Sequence, residues 1–307
     1  MSGSSLTLPA FAKINLGLRV LGKRPDGYHE IDTLLQTISL HDTITFTVTD
    51  TAEIVLSCDD RSLPTGRDNL VFRAAEALRD RFAPDKGARI FLAKRIPAQA
   101  GLGGGSADAA VTLLALAYLW EINATSLDVL EIAGSLGADV PFFFFGGRAR
   151  GLGTGTNLSL LTDSSEYFLL VVKPNASVPT ADAYRSLKAL SLTTVEAKTI
   201  LSSSEPGEIS DSSDSKAFHN EFEPVVFQLE PEIERAKVAL IKVGAEAALL
   251  AGSGSAVFGI FDNEDAQERA IQMIELEAGW RVFPCRTVGR DLYRRMLGDA
   301  GEVLRVA

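Results

Sequence analysis

The sequence predicts a two-domain α+β protein, on three observations. The chain has 307 residues, 46% of them hydrophobic and 23% charged, enough for two packed cores of ordinary size. Its first third is dense in strand-like runs and then passes through a glycine-rich segment into a long, almost uncharged helix. Its last third alternates strand and helix, the pattern of a helix-backed sheet.

The elements follow in order. "LTLPAFAKINLGLRVLG" (6–22) partly alternates apolar positions, and "DTITFTVTD" (42–50) and "EIVLSC" (53–58) are β-branched runs of strand length. "RPDGYHE" (24–30) carries a Pro-Asp-Gly turn signal. "NLVFRAAEALRDRF" spaces Leu70, Ala74, Ala77 and Leu78 at helical intervals, with Asn69 as its N-cap. The strand "ARIFLAKRIP" (88–97) runs straight into the glycines. "SADAAVTLLALAYLWEI" (106–122) is rich in Ala and Leu, hence a buried helix. A second helix, "SLDVLEIAGSLG", ends near Gly137 and delivers the loop "GADVPFFFFGG". "YFLLVVKP" (167–174) opens the second half. Residues 202–216 are serine-rich and acidic and read as a surface insertion. Beyond them come two helices (231–244 and 264–279), strand-like "AALLAGSGSAVFGIFD" (247–262) and "WRVFPCRTV" (280–288).

Charge and cysteine usage narrow the function. Thirty Lys and Arg stand against forty Asp and Glu, a net charge of −10, which argues against general nucleic-acid binding. A small anionic substrate remains compatible, because local basic residues outvote the net charge at one site. Cys58 and Cys285 lie far apart and read as ordinary thiols of a reducing compartment. The N-terminus has no signal-like apolar run, and no segment approaches the ~20 apolar residues of a membrane helix. A soluble cytoplasmic protein is expected, as a monomer or weak homodimer with a small-molecule substrate.

"PAQAGLGGGSADAA" (97–110) places four glycines within five residues, directly before the buried helix. It lacks the Lys-Ser/Thr of a Walker loop, the spacing of a dinucleotide fingerprint and the tripeptides of a protein kinase. Its chemistry is still that of an anion cradle. First-turn N–H groups have no intrahelical partner, the helix dipole favours negative charge, and glycine lets phosphate oxygens approach. Ser106 adds a hydroxyl for phosphate or a bound magnesium ion. The alternative from composition alone is a helix start packed tightly on its neighbour.

This segment resembles the second motif of the GHMP kinases. "AKINLGLRVLGKRPDGYHEIDTLLQTISLHD" (12–42) resembles the first motif of the branch acting on a cytidine-diphosphate-linked methylerythritol, in non-mevalonate isoprenoid synthesis. "LGADVPFFFFGG" is similar to the segment carrying that branch's acidic base, and "AGSGSAVFGIF" (251–261) to the third glycine motif. "HNEFEPVV" (219–226) is also of the family's kind. The resemblance implies a ribosomal-protein-S5-like N-terminal domain (1–162) and a ferredoxin-like C-terminal domain (163–307), with the site between them. It implies ATP as phosphoryl donor, with Mg2+, and a 2-hydroxyl as acceptor.

Residue by residue, the resemblance implies Asp139 as the base and Lys13 as its cationic partner. On spacing alone Asp139 reads as a turn acid and Lys13 as an edge-strand lysine. A carboxylate is a weak base for an alcohol, so positioning carries more of the work than basicity. Asn15 shares the face of Lys13 and matches a substrate-contacting position. Tyr28 and Tyr184 are implied to stack on the cytosine, and His29 to bond its edge; without the motif they read as a turn aromatic and a surface histidine. The ATP loop is implied to comprise Pro97, Ala98, Gln99, Ala100, Gly101, Leu102, Gly103, Gly104, Gly105, Ser106 and Ala107, with Asn69 and Lys94 around adenine. Where related kinases carry a glutamate, this chain has Thr154 and Thr156 flanking Gly155. No protein carboxylate is therefore assigned to magnesium, and Ser106 is the metal-ligand candidate. A non-catalytic nucleotide sensor on the same scaffold is the competing expectation, opposed by the retention of both Lys13 and Asp139.

Overall fold

The computed structural model describes residues 4–123, 125–163, 166–191 and 218–302. The segment read as a surface insertion, 202–216, lies outside the described residues.

Among the described residues the strands form two sheets. In the first, β1 (Ser5–Lys23) and β2 (His29–Thr49) are a long antiparallel pair joined by the Pro-Asp-Gly turn. β2 continues to β4 (Gly87–Ala93), and β4 to parallel β3 (Ile54–Cys58). The early half of β2 also pairs with β5 (Arg148–Gly153), which carries the edge strand β6 (Asn157–Leu160). Helices α1 (Leu70–Phe82), α2 (Gly104–Leu119) and α3 (Ser126–Leu136) share one core with this sheet. The expected caps are present. Asn69 Oδ1 accepts from Val71 N at 2.9 Å, and Gly137 closes α3. Helix α2 is buried from Ala107 to Ala117, as its uncharged sequence requires.

The second sheet joins β7 (Phe168–Lys173), β9 (Ala247–Leu250), β10 (Val257–Phe261) and β11 (Arg281–Arg286) in the order β11-β7-β10-β9, all antiparallel. Helix α4 (Thr180–Ser191) and the short α5 (Glu223–Leu229) precede α6 (Pro231–Lys242), which leads into β9. Helix α7 (Glu264–Met273) links β10 to β11. This is the βαββαβ arrangement of a ferredoxin-like domain, and the whole is α+β as expected. Strand β7 shows why its sequence is uniformly apolar. Leu170 and Val172 face the helices, while Leu169 and Val171 face a third apolar layer between the two sheets. From the first sheet, Ala12, Ile14 and Leu16 enter that same layer.

The two halves exchange pieces across the expected division at 162/163. His219 and Asn220 form β8, a short parallel addition to β1 at Gly17 and Leu18. Helix α8 (Arg290–Leu297) returns to the first domain, where Tyr293, Leu297 and Ala300 join its core. Tyr293 donates its hydroxyl proton to the Phe143 carbonyl, and a Cβ on Gly146 would collide with its ring. The expected assignment of all of 163–307 to the second domain is corrected to that extent: the apolar face of α8 finds its partner under the "FFFF" turn.

Candidate active site

Lys13 lies on β1, paired with β2 on one side; β8 joins only at Gly17 and Leu18, and at Lys13 the glycine loop covers the other side. The Lys13 backbone N–H donates to Leu102 O at 2.9 Å, tying the strand to the glycine loop. The side chain is buried, its ammonium donating to Asn15 Oδ1 at 2.8 Å and standing 3.5 Å from Asp139 Oδ2. Asp139 precedes a short 3-10 turn (Val140–Phe144), but its carboxylate caps no backbone N–H of that turn. It is 40% exposed, toward a cleft of about 1130 Å3 whose lining includes Lys13, Asn15, Thr33 and Asp139. The turn-acid alternative has no hydrogen bond to support it here.

The glycine loop opens α2 as expected. Gly103 is the N-cap, at φ +70°, with no side-chain cap bond. A Cβ there would stand 2.9 Å from Phe143 and 3.0 Å from Cγ of Lys13, so the lysine stem passes where only hydrogen fits. Gly101, at φ +77°, approaches the second domain; its Cβ would land on the Ala251 carbonyl. The third glycine motif thus roofs the first two. Asn220 of "HNEFEP" holds it, donating from Nδ2 to Leu250 O at 2.9 Å and Gly252 O at 2.7 Å.

Residues 97–106 line a second cavity of about 510 Å3, together with Asn69 and Lys94. Gly101, Gly103, Ser106 and Thr180 line both cavities, so the glycine loop is the partition between them. Ala107 departs from the expected set: it is fully buried in the first core and lines neither cavity. Among the described residues no group of three His, Cys, Asp or Glu side chains could hold a metal ion. Ser106 at the partition, beside the unpartnered first-turn N–H groups of α2, fits an ion carried on phosphate oxygens.

The hairpin 24–30 is set by Arg24, which donates to Asp26 Oδ2 at 3.1 Å and Glu30 Oε2 at 2.8 Å. The three implied base readers, Tyr28, His29 and Tyr184, all line the large cleft, and two of them touch. His29 stacks on Tyr184 with centroids 4.7 Å apart at 27°, and Tyr184 meets Phe222 edge-on. Tyr28, 68% exposed and in contact with neither ring, lines the same cleft as Tyr184. Burial, then the charge of Asp139, push the Tyr184 phenol above its ordinary range, which puts Tyr184 within electrical reach of the acid. Thr154 and Thr156 line the same cleft.

Asn69 and Lys94 turn out to be engaged with the protein. Besides capping α1, Asn69 donates to Pro64 O at 2.8 Å. The Lys94 ammonium lies between Asp42 and Asp108, 3.0 Å from the latter. Asp42 also accepts from the backbone N–H groups of Arg95 at 2.5 Å and Ile96 at 2.8 Å, while Asp108 Oδ1 is buried without a partner. Burial, opposed by Lys94 and reinforced by Asp42, pushes the Asp108 carboxyl up to about 8. A proton kept on Asp108 leaves one carboxylate for one ammonium in a space that excludes water. The folded state then binds more protons than the unfolded one between the ordinary value of 3.8 and about 8, so this group's stabilisation falls as pH rises through that window. In Asp108→Asn that dependence should vanish. Measured from pH 5 to 8, the Tm of the wild type should decline relative to the variant by roughly 2 °C or more; parallel curves would refute the assignment.

Cys285 is buried, its thiol raised to about 12, and Cys58 is raised by burial too, so both read as unreactive. No helix among the described residues is long and apolar enough to cross a membrane.

A glycine-cradled helix N-terminus, a buried lysine beside a cleft-facing aspartate and a ferredoxin-like second domain define the class, and comparison with known proteins agrees. The pattern described as GHMP kinases N terminal domain matches residues 69–147, and that described as GHMP kinases C terminal matches 204–278. The protein is a small-molecule kinase of the GHMP class, with ATP as phosphoryl donor. The 4-diphosphocytidyl-2-C-methyl-D-erythritol kinase of Prosthecochloris aestuarii is 43% identical over 91% of this chain and 97% of its own length. That of Pelotomaculum thermopropionicum is 42% identical over 86% and 92%. A crystal structure of 4-(cytidine 5'-diphospho)-2C-methyl-D-erythritol kinase superposes with a TM-score of 0.76 at 34% identity, covering 92% of this chain and all of that one. The chain belongs to the 4-diphosphocytidyl-2-C-methyl-D-erythritol kinase family. A homoserine kinase from Cytophaga hutchinsonii, 18% identical with a TM-score of 0.64 over 93% of this chain and 95% of its own, shares the fold.

Proposed function

We propose that this enzyme transfers the γ-phosphoryl group of ATP to the 2-hydroxyl of 4-diphosphocytidyl-2-C-methyl-D-erythritol, a step of non-mevalonate isoprenoid synthesis. The observation that carries the reading is the meeting of two cavities at the glycine loop, with Lys13 and Asp139 on the larger one. ATP lies in the smaller cavity, its phosphates on the N–H groups at the start of α2. The cytidine end of the acceptor lies against Tyr184, displacing His29 to the edge of the base, and Tyr28 folds over the other face.

The accepting hydroxyl is on the carbon that also bears the methyl group, so it is tertiary and hindered. Attack on phosphorus therefore depends on a held orientation more than on nucleophile strength. The hydroxyl oxygen bonds to the γ-phosphorus, the bond from phosphorus to the β–γ bridging oxygen breaks, and ADP leaves. The hydroxyl proton passes to Asp139, while Lys13 offsets the charge gathering around the reacting oxygens. Ser106 would hold Mg2+, which would neutralise charge on the triphosphate.

ADP release, measured with this substrate and in parallel with mevalonate, homoserine and galactose, tests the reading. Turnover with the cytidine substrate alone is expected; turnover with another of the four, or with none, would contradict it. Replacing Tyr184 by Ala should raise the KM for the cytidine substrate about tenfold or more, from the ~1–3 kcal/mol of one stacked base, with the ATP KM held. An unchanged substrate KM would remove Tyr184 from the base site.

A further inference from the structure

Beneath the Lys13–Asp139 pair runs a chain of hydrogen bonds whose direction is fixed at every step. The Thr33 hydroxyl donates to Gly17 O at 2.9 Å. A hydroxyl has one hydrogen, so the same oxygen can then only accept. Asn15 Nδ2 donates to it at 2.7 Å. That sends the other end of the amide, Oδ1, toward Lys13, whose ammonium donates to it at 2.8 Å. Thr33, Asn15 and Lys13 are 2%, 3% and 4% exposed, so water does not take over a missing partner. A bulge in β1 between Asn15 and Gly17 interrupts the ladder with β2 and brings the Gly17 carbonyl within reach of the threonine.

We propose that Thr33 is a positioning residue for phosphoryl transfer, setting the Asn15 amide and through it the place of the Lys13 ammonium; this rests on Lys13 and Asp139 being the reacting pair. The reversed amide would turn its N–H groups on the ammonium. With its Oδ1 inward, Asn15 provides the shortest of the lysine's polar contacts, and the ammonium stays 3.5 Å from Asp139. That is longer than the ~2.7–2.9 Å of a charge-assisted hydrogen bond. The carboxylate is thereby left able to accept the substrate's proton. Without the threonine hydroxyl, Asn15 Nδ2 loses its acceptor, the amide is no longer anchored against the ammonium, and the lysine is drawn toward the acid.

The test uses Thr33→Val, which keeps the shape and removes the hydroxyl, with Thr33→Ser restoring it. Wild type, Asp139→Asn, Asn15→Ala and the Thr33→Val/Asn15→Ala double variant are run alongside, with kcat, both KM values and Tm recorded. In Thr33→Val, kcat should fall about tenfold or more with the ATP KM unchanged, as misplacement of a reacting group predicts. Thr33→Ser should recover to within about twofold, and the double variant should be no slower than Asn15→Ala, the non-additivity of two residues acting through one bond. Thr33→Cys, similar in volume but a weak acceptor, replaces the valine variant if that does not fold, with the same fall expected. Full activity in the valine or cysteine variant, beside an active wild type and a dead Asp139→Asn, overturns the inference alone. So does a fall that serine fails to rescue, or that adds fully to Asn15→Ala. Absence of turnover in the wild type overturns the functional reading, and the inference with it.

Discussion

Asp139→Asn should lower kcat by about 100- to 10,000-fold, the range of a general base, while leaving ATP affinity within about twofold. Asparagine matches aspartate in shape, so the turn into Val140–Phe144, which makes no use of the carboxylate, has no reason to change. What is lost is the proton acceptor beside Lys13, on the wall of the larger cavity. The smaller cavity, lined by the glycine loop, does not include residue 139. Single-turnover rates together with ATP titration check this. A rate near that of the wild type would remove Asp139 from the chemistry, and a parallel loss of ATP binding would assign it to the nucleotide.

The second large effect is on the fold. Gly101→Ala should cost about 3 kcal/mol or more, because a left-handed residue gains a side chain where a neighbouring carbonyl already stands. At φ +77°, the new methyl group would fall on Ala251 O and approach Gly254 N to 3.1 Å, pushing the second and third motif loops apart. In a chain of this size that loss lowers Tm by roughly 5 °C or more, and ATP binding should weaken with it. Gly105→Ala is the contrast. Its Cβ would meet Leu70 at 3.5 Å, an ordinary contact, and the position is helical. Calorimetry should find it as stable as the wild type or more so, since alanine outranks glycine in a helix by about 1 kcal/mol. Equal stability of the two variants would mean that the loops do not bear on one another as described.

The parts of this molecule written in local sequence were readable, and the parts written across the chain were not. The cap of α1, the buried α2, the end of α3 at Gly137 and the strand–helix alternation of the second domain follow from spacing, capping and composition. The early half of β2 was not apparent as a strand, because positions 31–38 are buried on both faces and no alternation survives there. Helix α8 passed unnoticed, eight residues long and half of them charged, until its Tyr293 is seen filling the first core. At the site, the side chains that motifs mark were found together: Lys13 near Asp139, and His29 on Tyr184. Thr33 carried no signal, since a threonine in a strand is the ordinary choice. Asp42 and Asp108 were equally silent, one within a strand and one within a helix, until Lys94 joins them. Tyr28, marked by the turn motif, lines the same cleft as His29 and Tyr184 without touching either ring.

The most direct test of the central claim is the proton-coupled 31P spectrum of the product formed from ATP and 4-diphosphocytidyl-2-C-methyl-D-erythritol. The carbon bearing the 2-hydroxyl carries a methyl group and no hydrogen, so a phosphate placed there has no three-bond coupling to a proton. A new phosphomonoester singlet, growing with ADP and absent with Asp139→Asn, is the predicted result. A triplet would place the phosphate on the primary hydroxyl and a doublet on the secondary one, and either would contradict the account, as would ATP consumption with no new phosphomonoester at all.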